Sequence, residues 1–351
     1  MIYAFADALT GQSMATCFTF AMRLFSRVFV ILAAISLAGC QNVSYYSQAI
    51  SGQASLLWNS KAIEQVLKHP DTTPALRARL QLVQEIRAYA VDALDLPESK
   101  SYQRYTDIGR DFVLWSVVAA REFSIAPELF CFPIVGCVSY HGYFQRSKAE
   151  EEAATLRARG LEVSVGPVAA YSTLGWFPDP VLSSVLKYPD PELAGLIFHE
   201  LSHERVYIKD DTTFNESFAS FVERVGVRQW LQSRGQDDAL RDYQRRSDQR
   251  DRLIALIAST RERLGTVYAM DLPDPKKREQ KDQLLNQLRD EYRRLRDLDE
   301  VPNWGSWFER DLNNAKLAAV GTYYDQTDYF EDLFRQAEGN FSTFYRLVEA
   351  H

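Results

Sequence analysis

The sequence predicts an α+β fold that is mainly helical, with a small sheet beside one central helix and a charged helical hairpin projecting from the body. Three observations predict it. Apolar residues recur at threes and fours over most of the chain, which is the helical period. Alternation at the strand period is confined to a short stretch from Leu161 to Leu174. The segment from Gln236 to Glu300 is densely charged, with sparse apolar positions at helical spacing.

The bulk numbers agree with a folded chain that has a sizeable core. Of 351 residues, 46% are apolar and 25% charged. A net charge of −7 and a pI near 5.4 argue against a nucleic-acid partner, whose phosphates need a basic footprint. Twenty Phe, 18 Tyr and 6 Trp point to a well-built core or groove.

Residues 1–39 read as a signal region rather than part of the fold. From Met22 the chain has a basic start, an apolar run from Val28 to Ala34, and small residues before Cys40. That run is too short to cross about 30 Å of hydrocarbon. The signal is complete from Met22, so Met22 is the expected true start. Leu37-Ala38-Gly39-Cys40 resembles the bacterial lipobox, which implies acylation of Cys40 and anchorage to a membrane. A plain signal peptide or anchor is the alternative. Gln41, rather than Asp, after the Cys resembles the outer-membrane sorting pattern of Gram-negative bacteria and implies a periplasm-facing protein. With Cys17 removed and Cys40 acylated, Cys131 and Cys137 remain. In an oxidising compartment they read as a disulfide around a Pro- and Gly-containing loop. Two buried reduced thiols are the alternative.

The elements follow in order. Residues 54–94 carry helical spacing, punctuated by Pro74 and Pro97. Tyr102 to Ala120 reads as a further helix, with Val113, Leu114, Val117 and Val118 on one face. Ser124 to Phe144, rich in Pro, Gly, aromatics and Cys, reads as an ordered loop. Ser147 to Arg159 is a helix closed by Gly160. Leu161, Val163 and Val165 start a strand that resumes through Val168 to Leu174. In the hairpin of residues 236–300, Leu240, Tyr243, Leu253, Ile257 and Leu264 mark one arm. Leu284, Leu288, Tyr292, Leu295 and Leu298 mark the other, and Asp271-Leu-Pro-Asp-Pro275 breaks them apart. Its charges read as a solvated face, with docking of a protein partner as the minority reading. The organisation expected is a main domain of residues 40–235 and 301–351, with 236–300 inserted.

The chemistry is concentrated in residues 190–223. Asp190 as N-cap, Pro191 at N1 and Glu192 in the first turn specify a helix start. That helix contains His199-Glu200-Leu201-Ser202-His203, an H-E-x-x-H motif. Spacing of i, i+4 stacks both imidazoles on one face, where two nitrogens reach one metal ion. Glu200, one position on, is angled away from ligation but close enough to take a proton from water held there. A third ligand is required, and Glu216 in Asn215-Glu216-Ser217-Phe218-Ala219 is the candidate. Two His and one carboxylate leave a position open, which is the catalytic pattern. Thr213-x-x-Glu216 is also a capping box, the competing reading for Glu216. Glu223, two turns along the same face, is the second choice of ligand.

Taken together, these motifs resemble a bacterial zinc aminopeptidase family found mainly as predicted lipoproteins. The resemblance runs through Tyr171-Ser-Thr-Leu-Gly-Trp-Phe-Pro-Asp-Pro180, the H-E-x-x-H and Asn-Glu-Ser-Phe-Ala motifs, and on to Trp230. It extends to Gly39-Cys40-Gln41, to Phe130-Cys-Phe-Pro-Ile-Val-Gly-Cys-Val-Ser-Tyr140 and to Asn313-Asn-Ala-Lys-Leu317. It implies a zincin-like metallopeptidase with Zn2+ on His199, His203 and Glu216, Glu200 as catalytic base, and a peptide as substrate. His141 departs from the Arg expected there. The Gly-x-Met-Glu-Asn strand by which well-characterised gluzincin aminopeptidases hold a free amine is absent from this sequence. The resemblance therefore implies peptide-bond hydrolysis more firmly than exopeptidase action. Tyr171, Tyr323 and Tyr324 are candidate donors to a tetrahedral oxyanion. Two other readings use the same residues: a non-catalytic envelope lipoprotein with a structural metal site, and a peptidoglycan amidase.

Overall fold

The computed structural model describes residues 45–350, apart from 133–135, 171–172, 174–176, 210 and 321–326. The signal region with Met22, and Cys40, lie outside the described residues. Helix accounts for 62% and strand for 10%, so the chain is mainly helical α+β, as its periodicity predicts. Among the described residues no helix is long and apolar enough to cross a membrane. Residues 45–53 are helical and form a unit of their own; residues 54–351 form the other.

The second unit begins with β1 (Lys61–Ala62), α1 (Ile63–Lys68) and α2 (Pro74–Asp92). Pro74 opens α2 rather than breaking it, and the Thr73 side chain caps the helix by accepting from Leu76 N. The region from Tyr102 to Ala120, expected to be helical, is instead two strands: β2 (Arg104–Thr106) and β3 (Leu114–Ala120). The physical reason is that Leu-Trp-Ser-Val-Val-Ala-Ala is a near-continuous apolar run. Val117, Val118, Ala119 and Ala120 are all buried, so both faces of β3 are covered and no alternation marks it as a strand.

The expected loop of residues 124–144 also contains strands, β4 (Phe130–Phe132), β5 (Gly136–Val138) and β6 (His141–Tyr143). A disulfide joins Cys131 and Cys137, which face each other across β4 and β5. Helix α3 (Arg146–Ala158) ends as the sequence predicts, with Gly160 at φ +81°. Strand β7 (Glu162–Val168) then pairs antiparallel with β3 along its whole length, and β6 flanks the other edge. A second three-stranded sheet has the order β1-β2-β8, with β8 (Val181–Leu182) parallel to β2.

A single 3-10 turn (Val185–Lys187) leads from β8 into α4 (Asp190–Arg205), and α5 (Thr212–Ser233) follows. The start of α4 lies one residue earlier than expected: Pro189 is the N-cap, and Asp190 pairs with Arg79 of α2 instead of capping. The two helices pack closely. A Cβ on Gly226 of α5 would lie 2.7 Å from Leu94 Cδ1 and 2.9 Å from Phe198 Cδ2, so only glycine allows this approach. Phe214, Phe218 and Phe221 turn the other face of α5 into an aromatic cluster. Phe330 of α10 (Thr327–Gln336) and Phe341, Phe344 and Tyr345 of α11 (Phe341–Glu349) complete it, once α6 to α9 have intervened in the chain. Each such ring, fully buried, contributes about 1.5–3 kcal/mol.

The charged segment forms the predicted helix pair, α6 (Asp237–Ala269) and α7 (Asp274–Asp297), separated by residues 270–273. The two ends of α6 belong to different cores. Leu240 and Tyr243 join the main cluster around α4 and α5. Leu253, Ile257, Leu264 and Val267 pack with Leu284, Leu285, Leu288 and Tyr292 of α7. Phe308 of α8 (Gly305–Glu309) and Leu317 of α9 (Asn314–Val320) complete that second cluster, and Phe308 stacks on Tyr292 at 3.8 Å. Leu298, assigned to the seam by its spacing, is 56% exposed and lies beyond the helix end.

Helix α7 is tied to the sheet by a charge that the apolar spacing does not reveal. Lys281 is buried, pairs with Glu162 of β7 and donates to Glu122 O. The second oxygen of Glu162 accepts from Asn314 N at 2.7 Å. Removing one partner of a buried pair leaves the other charge without compensation, so Lys281→Ala should lower stability by about 3–5 kcal/mol. Urea unfolding followed by circular dichroism measures this, and a loss below about 1 kcal/mol would count against the node.

Candidate metal centre

The H-E-x-x-H segment occupies the last two turns of α4, and the start of α5 faces it. The connection between them is set by Asn215, which is 2% exposed. Its Oδ1 accepts from Ile208 N at 2.8 Å and its Nδ2 donates to Ile208 O at 2.7 Å, so one side chain satisfies both backbone groups of the turn. Asp211 caps α5 by accepting from Phe214 N at 2.9 Å. The helix therefore starts before Thr213, and Glu216 turns toward the histidines rather than back onto a cap.

The three expected ligands converge. His199 Nε2 lies 3.3 Å from Glu216 Oε2, and His203 Nε2 lies 3.7 Å from Glu216 Oε1. One ligand atom from each residue lies within 4.8 Å of the others. A tetrahedral centre with bonds of about 2.1 Å holds its donors about 3.4 Å apart. The two short contacts here run to different oxygens of Glu216, and a set with one atom from each residue would contract onto an ion from a spread of up to 4.8 Å. Two imidazole nitrogens and a carboxylate oxygen are a donor set that fits a divalent metal such as zinc.

The electrostatics fit as well. Burial pushes the His203 imidazole down to about 4, helped by the adjacent His199, which leaves it in the neutral form that ligates. Burial also opposes charge on His199, but hydrogen bonds to Glu216 and Glu223 hold it well above the usual range. For Glu216 burial acts upward, and the neighbouring His199 outweighs it, bringing the carboxyl below its ordinary value. Glu200 is raised to about 7, first by burial and then by the nearby carboxylates of Glu216, Asp179 and Glu223, against the pull of His199. Several acidic groups thus crowd two imidazoles in a largely buried pocket, an arrangement that a divalent cation relieves.

Glu223, the second choice of ligand, stands elsewhere in the site. Its Oε2 is 3.2 Å from His199 Nδ1, the nitrogen that points away from Glu216. Three further neighbours emerge only from the three-dimensional structure. Tyr102 is buried at φ +59°, and its N–H donates to Asp179 O at 2.7 Å. Its phenol is raised by burial and by the charges of Glu200, Asp179 and Glu204. Asp179, 4% exposed, accepts from Thr173 N at 2.7 Å and from Thr173 Oγ1 at 2.9 Å, which ties Thr173 to a carboxylate whose charge acts on Glu200. Asn215, within the Asn-Glu-Ser-Phe-Ala motif, is the third. Its Asn-Glu order is the one local signal of its role. Tyr171, Tyr323 and Tyr324, the expected oxyanion donors, lie outside the described residues. His141 pairs with Glu152 at 3.7 Å and stacks on Phe130, in the sheet rather than among the metal-site side chains.

The fold and this site define a mainly helical α+β protein in which two histidines and one carboxylate on adjoining helices form a group that could hold a metal ion. The family described as "Putative aminopeptidase" matches residues 44–351, and the chain belongs to it. Neither the curated proteins nor the solved structures yield a match.

The Asn215 clamp is open to test. Asn215→Ala leaves Ile208 N–H and C=O without their partner, and should cost about 1–3 kcal/mol of stability. Zinc affinity should fall with it, because Glu216 follows in the same turn. Calorimetric melting with and without zinc reads both effects.

Proposed function

We propose that this protein is a zinc-dependent peptidase. The observation that carries the reading is the convergence of His199, His203 and Glu216 at metal spacing, with the Glu200 carboxyl one position along the same helix. Membership of an aminopeptidase family supports peptide-bond hydrolysis as the reaction. A bound zinc ion supplies Lewis acidity, lowering the pKa of water and polarising a scissile carbonyl.

The chain's own residues do the rest. Glu200, poised near 7 by burial, accepts a proton from the attacking water on one carboxylate oxygen and returns it to the leaving amine nitrogen. Its place in the motif keeps it off the ligand positions, so it is free for proton transfer. A purely structural site has no use for such a base, which favours the enzyme over a non-catalytic lipoprotein. Release of single N-terminal residues is the action that the family name favours.

We also propose that Cys40 is the acylated N-terminus of the mature protein, tethering it to the bacterial envelope, at the outer membrane and facing the periplasm. The lipobox-like residues 37–40 and the Cys131–Cys137 disulfide support this placement.

The test is digestion of a mixed peptide library by zinc-loaded protein, read by mass spectrometry. Wild type should release N-terminal residues. Glu200→Gln should retain zinc and lose about 10²- to 10⁴-fold in rate. Removal of the metal by chelation should abolish cleavage, and zinc should restore it. Internal cuts would make the protein an endopeptidase, and cleavage of peptidoglycan amides alone would make it an amidase. Equal activity of wild type and Glu200→Gln would remove the catalytic reading. For the anchor, Cys40→Ser should move the protein from the membrane to the soluble fraction of cells.

A further inference from the structure

Glycine in the middle of a helix is costly, and α4 has one at Gly195, one turn before His199. The neighbour that explains it is Glu223. A Cβ on Gly195 would stand 3.1 Å from both Cγ and Oε1 of Glu223, and 3.4 Å from its Cδ. An alanine there would meet not the free end of a flexible chain but a carboxyl that is already committed. Glu223 Oε2 is the group 3.2 Å from His199 Nδ1.

We infer that Gly195 and Glu223 form a positioning device: the missing side chain of Gly195 makes the slot through which Glu223 reaches His199 Nδ1 and fixes the ring so that Nε2 faces the metal. The inference rests on the metal site proposed above and assigns Glu223 a role outside the ligand set. A carboxylate that accepts from the remote N–H of a ligating histidine fixes its tautomer and ring orientation and increases its basicity as a ligand. Burial opposes charge on Glu223 and His199 outweighs it, with smaller contributions from the positive charges of Arg250 of α6 and Arg224 of α5; Arg224 bonds Asp251 of α6 at 2.9 Å. The slot thus lies between α4 and α5.

The experiment is a double-variant cycle on Gly195 and Glu223 with three readouts: zinc affinity by competition with a chromophoric chelator, the visible spectrum of the cobalt-substituted protein, and the melting temperature without metal. Glu223→Gln and Glu223→Ala should each weaken zinc binding about 10- to 100-fold, with the cobalt spectrum retaining its ligand number. Gly195→Ala should weaken binding toward the same level. In the double variant Gly195→Ala/Glu223→Ala the loss should be no greater than for Glu223→Ala alone, because glycine acts only through the carboxylate. In that background the alanine should also raise the metal-free melting temperature, since the helix then gains a better helix former.

Wild-type zinc affinity in Glu223→Ala would overturn the inference. So would a cobalt spectrum in that variant showing the loss of an inner ligand, as Glu216→Ala should give. A loss from Gly195→Ala that persists undiminished in the Glu223→Ala background would overturn the part played by the glycine. Failure of the wild-type protein to bind zinc or cobalt at all would instead defeat the metal-site reading, and is separately visible as the absence of any signal to perturb.

Discussion

The distance between α4 and α5 is the constraint on which the site depends. Ligands on two different helices meet at one point only if the helix axes approach closely, and here backbone rather than side chain sets the limit. Gly226 lets Phe198 and Leu94 lie against α5 where any Cβ would collide with them. Phe198 immediately precedes His199, so the same contact that brings the helices together also seats the first histidine. On the far side of α5 the aromatic cluster of Phe214, Phe218, Phe330 and Phe344 presses the helix inward. The precision of the centre is borrowed from apolar packing around it.

That packing has an electrostatic consequence. Burying Glu200, Glu216 and Glu223 around two imidazoles would be unfavourable in a pocket that offered no compensation. The protein distributes the load: His199 lies between Glu216 and Glu223, Arg250 and Arg224 stand behind Glu223, and Glu200 remains the carboxyl with the weakest support. The group least stabilised as an anion is therefore also the one to which the proposed function gives proton transfer. This division among acidic side chains of one pocket needs no special residue type, only different neighbours.

Much of the site was legible in the sequence, because the H-E-x-x-H signal is local. Spacing of i, i+4 on a helix brings His199 and His203 together whatever the rest of the fold does. Glu216 was legible as a candidate, with a capping box as the competing reading; Asp211 takes the cap, which removes that competitor. The role of Glu223 was not legible. Whether it meets Nε2 or Nδ1 of His199 depends on the helix separation, which is a tertiary fact set by Gly195 and Gly226 on the two adjoining helices. The strands β2 and β3 were misread for the opposite reason. A strand covered on both faces loses its alternation, and Val113, Val117 and Val118 then imitate a helical face. The hairpin helices, amphipathic over many turns, were found easily, while the tie made by Lys281 to Glu162 was hidden among other charges.

Helix α6 is continuous, yet its two ends answer to different cores, and between them lie the buried polar side chains Ser247 and Gln249, the latter donating to Asp299 O at 2.6 Å. Cooperative units of opening follow packing rather than backbone continuity. Amide exchange along this one helix should accordingly divide near its first third, with the residues around Tyr243 exchanging through the same openings as α4 and α5. Those from Leu253 onward should follow the second cluster. The backbone is shared, but the two halves have separate thermodynamic lives, and a disturbance that loosens the hairpin's far end need not reach the carboxylates that hold His199.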